Sequence, residues 1–411
     1  MSARLFVLVA AGFVLAAPKA PADDWPQWRG PNRDAKVTGF AAPATWPKAL
    51  TQKWKVTVGD GVATPALVGD RLYVFSRQQD NEVVRCLDAA TGKEQWQDKY
   101  PSAGASGPAS GYSGPRGSPA VADGKVVTHG VRGILTCYDA ATGQKLWRKD
   151  GSGGPLPQFS TASSPVVVNG LCVVQVGGES QGGIAAYDLA TGDEKWKWAG
   201  DGSAYASPVL LTVDGAPTIV AETAGNVVGV SADGKLLWKT PFPKGGGRTY
   251  NACTPVLDDQ TVIFSGANRG TKAVKLEKGG DAIAVKELWN NPQTAVQYNT
   301  PVLKDGLVYG ITDRGSLFCL NAQTGKTAWT APLPTKSRRD LGYGSVIDAG
   351  PVLMALTPAA ELIVFQPGDK EFKQVASYKV SDDGDAYAYP VLAGNRVFVK
   401  DKNAVTLWSL E

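Results

Sequence analysis

One histidine and two methionines stand among the 411 residues of this chain. A single histidine excludes a metal site built from several histidines of one chain. The five cysteines, Cys86, Cys137, Cys172, Cys253 and Cys319, lie no closer than 35 residues apart, so there is no CxxC, no CxxCH haem-attachment motif and no adjacent pair. Charge of one sign is also missing: 42 basic residues face 38 acidic ones. That balance gives no electrostatic footprint for nucleic acid, and no polybasic run suggests a membrane surface. The basic pair Arg338-Arg339 is followed at once by Asp340 and reads as a solvated loop. Beyond the first residues no apolar run reaches the 18 residues of a membrane span.

The one apolar run lies near the start. Leu5 to Ala17 follows Arg4, and Ala20-Pro21-Ala22 offers a small-x-small cleavage site before Asp23. This is the pattern of a secretory signal. The expectation is that residues 1–22 are a signal peptide and that the rest is exported, periplasmic or secreted, soluble and monomeric. Losing Arg4 and Lys19 lowers the net charge from +4 to +2.

What the chain has in plenty is glycine (48), proline (27), tryptophan (12) and tyrosine (13). That mixture favours many short strands joined by tight turns. A motif recurs: Asp88-x-x-Thr91-Gly92-x-x-x-Trp96, then Asp139 to Trp147, Asp188 to Trp196, Asn321 to Trp329, and a shortened Ser231-Ala-Asp233-Gly234 to Trp238. The acidic side chain bonds amides two residues on, and glycine supplies the positive φ of a tight reversal. The repeated Asp is therefore a turn former.

A second marker, Ser/Thr-Pro, precedes each unit at Thr64, Ser118, Ser164, Ser207, Thr254 and Thr300, with weaker copies at Ser345 and Tyr389. Spacings of 54, 46, 43, 47, 46, 45 and 44 residues divide Thr51 to Glu411 into eight units of about 45. Each unit reads as four antiparallel strands, which is a propeller blade. The expected fold is an all-β, eight-bladed β-propeller over residues 51–411, with 23–50 as a strap whose Trp25, Trp28 and Trp46 cover apolar surface outside the ring. The last unit lacks its fourth strand, and Gln52-Lys-Trp54-Lys-Val supplies it, closing the ring. The fifth unit has Trp289 after an irregular turn, Glu277 to Lys286. The seventh has Tyr378 where Trp is expected. Cys86, Cys137 and Cys319 share one slot that Ala186 fills in the third unit, so the slot wants a small buried side chain and the thiols are expected to be free.

The Asp-x-x-Thr-Gly-x-x-x-Trp repeat resembles the docking motif of pyrroloquinoline quinone (PQQ)-like repeat propellers. The resemblance implies that Trp54, Trp96, Trp147, Trp196, Trp238, Trp289 and Trp329 pack on neighbouring blades and lock the ring. The start of the mature chain, Asp24-Trp25-Pro26-Gln27-Trp28-Arg29-Gly30-Pro31-Asn32-Arg33, resembles that of exported bacterial PQQ-repeat proteins. The family divides between dehydrogenases, which hold PQQ and calcium in the central funnel, and cofactor-free propellers such as BamB that bind other proteins. The adjacent cysteines of the methanol dehydrogenase kind are missing here, and no local motif matches a calcium shell of Glu, Asn and Asp or an Asp base. The resulting expectation is a binding scaffold without a cofactor, with a PQQ- and calcium-dependent alcohol or sugar dehydrogenase, or a carbohydrate-binding propeller, as alternatives.

Aromatic residues recur just before the inner strands: Tyr205, Tyr298, Tyr343 and Tyr387 three residues before the Pro position, Tyr250 five before Pro255, with Tyr112 and Phe159 in comparable loops. Arg116, Arg248, Asn251, Asn299, Asp60 and Asp385 are interleaved. Rings with a few convergent polar groups make a binding pocket, and Tyr and Arg are also what protein-binding hot spots use. The expected site is a funnel mouth of Arg116, Tyr205, Arg248, Tyr250, Asn251, Tyr298, Asn299, Tyr343, Asp385 and Tyr387, facing an envelope protein or a small ligand. Equally, the Tyr rings could simply pack between blades. The long connection Tyr100 to Gly117 reads as a mobile binding loop, Gly245-Gly246-Gly247-Arg248 as a plain loop with some character of an anion nest, and His129 as structural.

Overall fold

The structure, a computed structural model, describes residues 24–151, 155–213, 215–247, 249–279, 282–334 and 340–411. The expected signal peptide, Arg248 and the Arg338-Arg339 pair lie outside them. Strands β1 to β32 form eight four-stranded antiparallel sheets, each in simple meander order. This is an eight-bladed β-propeller. The first blade shows the scheme: β2 (Ala66–Val68), β3 (Arg71–Gln78), β4 (Asn81–Asp88) and β5 (Glu94–Pro101). The eighth blade combines β30 (Val391–Ala393), β31 (Arg396–Lys400) and β32 (Ala404–Ser409) with β1 (Thr51–Thr57). β1 pairs antiparallel with β32 from Thr51↔Ser409 to Thr57↔Ala404, so the two ends of the ring close on each other.

The repeated motif does two jobs. Asp88 Oδ1 accepts from the Thr91 amide at 2.8 Å and its hydroxyl at 2.7 Å, and Asp139 and Asn321 repeat both bonds in their own turns. The glycine is required because its face is occupied. A Cβ at Gly143 (φ 75°) would lie 2.5 Å from the indole of Trp96 on the preceding blade, and Gly92, Gly192, Gly234 and Gly325 meet Trp54, Trp147, Trp196 and Trp289 in the same way. Each indole also donates to a carbonyl of that next blade: Trp54 to Ala89, Trp96 to Ala140, Trp147 to Leu189, Trp196 to Ala232, Trp289 to Ala322 and Trp329 to Gly368, at 2.8–3.3 Å.

Two junctions depart from this. Trp238 packs against the fifth blade but lacks the glycine contact and the hydrogen bond of the others. Its Nε1 is buried without a partner, and the indole lies over Gly229 of its own blade, where a Cβ would come within 2.0 Å. The reason is the fifth blade. Its β20 (Gly270–Gly279) and β21 (Ala282–Asn291) shift register once, between Ala273 and Val274, and then pair continuously from Val274↔Glu287 to Gly279↔Ala282, so the expected irregular turn from Glu277 to Lys286 is a paired hairpin. It offers no Thr-Gly turn, and Ile283 and Val285 pack around Trp238 instead. In the seventh blade the register places Ala376, not Tyr378, opposite the slot residue Val364. Tyr378 instead donates to Pro47 O at 3.0 Å. All five thiols are buried and free.

The axis is closed by a circuit of hydroxyls. The amide of each Ser/Thr-Pro residue donates to the hydroxyl of the next blade: Thr64 to Ser118, Ser118 to Ser164, Ser164 to Ser207, Ser207 to Thr254 and Thr254 to Thr300. Tyr389 completes it, accepting from Thr300 N at 3.3 Å and donating its own amide to Thr64 Oγ1 at 2.9 Å. Its long side chain reaches past the seventh blade, whose Ser345 Oγ is left without a partner.

The first part of the N-terminal segment, with Trp25 and Trp28, lies across this axis and not outside the ring as expected, whereas the part with Trp46 runs on beside the outer strand of the seventh blade, where Pro47 O meets Tyr378. Trp25 pairs with Leu67 of the first blade, Pro26 O accepts from Val121 of the second, and Ala35 and Val37 bond Asp348 of the seventh. Between them Arg29 donates to Thr300 O, Pro301 O and the Tyr389 hydroxyl, and Arg33 to Pro165 O and Ser164 O. Both are almost fully buried. Trp28 sits against both guanidinium groups, at 5.5 and 5.6 Å, and edge-on to Tyr389. Burial and the neighbouring Arg29 charge lower the Arg33 pKa to about 9.

Candidate binding mouth

The end of the axis opposite the inner-strand turns is different in kind. The loops entering the inner strands bring Tyr112, Phe159, Tyr205, Tyr250, Tyr298, Tyr343 and Tyr387 there, one from each blade except the first, and all are half-buried. They form two arcs. Phe159, Tyr205 and Tyr250 meet edge to face with centroids 4.9–6.0 Å apart. Tyr298 stacks on Tyr343 at 4.3 Å, Tyr343 meets Tyr387 at 5.0 Å, and Tyr387 meets Tyr112 at 5.2 Å. Such pairs hold one another in place by their quadrupoles.

Polar groups tie the arcs down. Tyr205 donates to Glu179 at 3.1 Å and accepts from the Phe159 amide, while Lys244 pairs with Glu179 at 2.6 Å. Tyr112 donates to the Tyr387 hydroxyl at 3.0 Å, and Lys402 lies 5.0 Å from the Tyr112 ring centre. Burial pushes the Tyr205, Tyr343 and Tyr387 hydroxyls well above the usual phenol range. Asp385, in left-handed backbone at φ 57°, adds a negative charge beside Tyr387 and Tyr112.

Of the residues expected here, Arg116, Tyr205, Tyr250, Tyr298, Tyr343, Asp385 and Tyr387 lie at the mouth with partly exposed surface. Asn251 and Asn299 do not present their amides. Asn251 is buried, donating to Thr223 O and Phe242 O and accepting from Arg269 at 2.6 Å. Asn299 is buried, donating to Ile311 O and Gly342 O. These amides brace loops from below. The connection from Tyr100 to Gly117 is pinned at several points: Ala105 N bonds Ser113 O, and Asp60 Oδ2 accepts from Ser113 N and Oγ.

A polar layer under the mouth escaped sequence reasoning. His129, Gln175, Ser265 and Lys400 end second strands of their blades and bond loops of the next: His129 Nδ1 to Ser163 O, Gln175 to Ala204 and Ala206, Ser265 from Val296, Lys400 to Gly59 and Gly61 carbonyls. Glu222 holds the same place in the fourth blade, fully buried and with neither carboxylate oxygen paired; burial raises its pKa well above the carboxylate range. Burial lowers the His129 pKa to about 4. No shared residue type marks this layer; His129, Gln175, Ser265 and Lys400 each lie 11 residues after their marker, which could have flagged them, but Glu222 lies 15 after Ser207 and breaks the spacing.

The residues present do not fit a PQQ and calcium site. A hard cation needs several converging oxygens. Among the described residues no group of three or more His, Cys, Asp and Glu could hold a metal ion. The mouth asparagines are engaged by backbone, and one oxygen of Asp60 is held by Ser113 and Gly114. No catalytic step follows from this arrangement.

An eight-bladed ring with one end of its axis filled by arginines and the other lined by tyrosines thus defines a propeller with a single open mouth. The family profile described as "Outer membrane protein assembly factor BamB" matches residues 34–199 and 80–331. The chain belongs to this family of PQQ-repeat propellers. It is 27% identical over 367 residues to the outer membrane protein assembly factor BamB of Burkholderia pseudomallei, covering 85% of each chain. A shorter stretch of 89 residues is 39% identical to quinohemoprotein alcohol dehydrogenase ADH IIB of Pseudomonas putida, but spans only 20% of this chain and 12% of that enzyme. The solved quinohemoprotein alcohol dehydrogenase of Comamonas testosteroni superposes with a TM-score of 0.70 at 16% identity, covering 94% of this chain and 80% of the other. That likeness concerns the fold. No helix among the described residues is long and apolar enough to cross a membrane.

Proposed function

We propose that this chain is an exported scaffold propeller that binds other polypeptides of the cell envelope through its aromatic mouth. The observation that carries the reading is the asymmetry of the axis. Aromatic rings from seven blades stay half-exposed at one end, over a channel that the hydroxyl circuit and two arginines fill. Half-exposed Tyr beside an Arg is the composition of a binding hot spot. Membership of a family described by an outer membrane assembly factor supports a protein partner over a small metabolite. Export rests on the Arg4, Leu5–Ala17, Ala20-Pro21-Ala22 pattern.

A photo-crosslinking residue at Tyr298 or Tyr343, in cells, tests the site. The expected result is discrete crosslinked adducts from the mouth and none from an identical probe at Lys239 on an outer strand. Equal adduct patterns from both would end the reading. Amino-terminal sequencing of envelope-fraction protein should begin at Asp23; an intact Met1 would remove export.

The second reading, a PQQ- and calcium-dependent dehydrogenase, draws on the local identity to the Pseudomonas enzyme. Purified protein given PQQ and calcium would then reduce an acceptor dye with alcohols or sugars. The scaffold reading expects no dye reduction above a heat-denatured control.

A further inference from the structure

Beneath the mouth two charged groups are each left with one atom unpaired. Arg116 ends the segment that joins the first blade to the second. Its Nη2 donates to Ala109 O at 3.3 Å and Tyr112 O at 2.9 Å, while Nη1 is shielded from solvent and has no partner. Asp60 Oδ1 is shielded and unpaired too, although Oδ2 takes three bonds from Ser113 and Gly114. The two side chains grip neighbouring residues of one short stretch, Arg116 at Tyr112 O and Asp60 at Ser113 and Gly114, yet form no ion pair with each other. Other buried arginines of the same blades are fully engaged: Arg85 bonds Glu94, Val58 O, Ser76 and Gln78. A buried donor and a buried acceptor left open together are costly, and they match a group that offers one of each.

Segment 102–117 holds both groups in place: Pro115 O accepts from Val62 N and Ala63 N, and Tyr112 bonds Tyr387. As whole residues Arg116 and Asp60 keep some exposed surface, so they lie at the floor of the mouth.

We propose that Arg116 and Asp60 form a backbone-reading subsite at the floor of the mouth, in which Arg116 Nη1 donates to the carbonyl of one peptide unit of an extended polypeptide and Asp60 Oδ1 accepts from a neighbouring peptide N–H. This rests on the reading of the mouth as a polypeptide site and names what it recognises: main chain, with no demand for charge. An acidic group would meet the Asp60 charge. A sugar would need free aromatic faces to stack on, and the Tyr298 and Tyr343 faces already cover each other at 4.3 Å.

The test uses a fluorescent, N-acetylated and C-amidated decapeptide of alternating leucine and threonine, read by anisotropy against the mature chain. Arg116→Met and Asp60→Asn should each weaken binding about 5–20-fold, and the double variant should be no worse than the weaker single, as for two groups gripping one ligand unit. N-methylating one backbone position should cost as much, and raising salt should change little. Asp60→Asn keeps the acceptor for Ser113, so a fold-neutral variant is available if Arg116→Met unfolds. Binding that needs an acidic peptide and falls with salt overturns the proposal, as does binding of a neutral oligosaccharide in the peptide's place. If Tyr298→Ala abolishes binding while Arg116→Met and Asp60→Asn leave it unchanged, the subsite falls and the mouth stands. If none of the variants changes binding, both fall.

Discussion

The two ends of the axis solve opposite problems with the same kinds of residue. At the sealed end Arg29 meets backbone carbonyls and a tyrosine hydroxyl, and the unpaired Trp25 Nε1, Arg33 Nε and Ser345 Oγ are shut in by the plug. At the open end Arg116 keeps one donor unpaired, and the tyrosines around it keep part of their surface in solvent. Both ends hold unpaired polar atoms; what differs is access. Only at the open end do they lie beside partly exposed rings that another molecule can reach.

The contrast can be broken most sharply at the plug. Arg29→Ala strands the Pro301 carbonyl in the axis, leaves Thr300 O with Tyr389 as its remaining side-chain donor, and should lower unfolding stability by about 3–5 kcal/mol, seen as a shift of the denaturant midpoint. A loss under about 1 kcal/mol would mean the plug is an accessory and not a seal.

Within the layer under the mouth, His129 destabilises the fold as pH falls, while Glu222, whose pKa burial raises, acts in the opposite direction. His129 titrates near its ordinary value when unfolded but is held neutral by burial in the folded chain, down to about pH 4. Above about pH 6.5 both states are neutral and it contributes no pH dependence. As pH falls from about 6.5 to 4 the unfolded state alone takes the proton, and stability drops by about 3 kcal/mol. A pH series of denaturant melts checks this, with His129→Gln expected to remove that part of the slope.

Blade junctions give a finer contrast. Trp147→Phe forfeits the bond to Leu189 O, whereas Trp238→Phe removes an indole N–H that has no partner. The first should cost about 1 kcal/mol more than the second in the same melts.

The smallest stability effect is expected where function is proposed. Tyr298→Ala should change stability by only about 1 kcal/mol, the size of an aromatic pair, while removing capture of a polypeptide probe. A large loss of stability without loss of capture would turn the mouth into packing.

How much of this was legible differs by element. The docking tryptophans could be read because each recurs at a fixed distance from a turn glycine, and a turn is a local object. Trp238 carried the same local pattern and packs on the next blade, but it finds no turn glycine or carbonyl partner there, because that blade grew a hairpin instead. The half-exposed rings could be read as a set, since position before each Ser/Thr-Pro places them at one end. Asn251 and Asn299 shared that position, but a short amide beside a loop carbonyl turns inward, and nothing local announces the carbonyl. Arg29 and Arg33 were passed over because their partners across the ring lie 131–360 residues away in sequence.

By itself the amino-acid sequence determined the blade, the blade count and the closure, because strand period, turn chemistry and repeat length act over a few residues and simply add around a ring. Tertiary structure alone decided which arginine seals and which stays open, which tryptophan finds its glycine, and which buried acid goes unpaired. Those outcomes depend on desolvation and on partners brought together from distant blades, and neither can be counted along a chain.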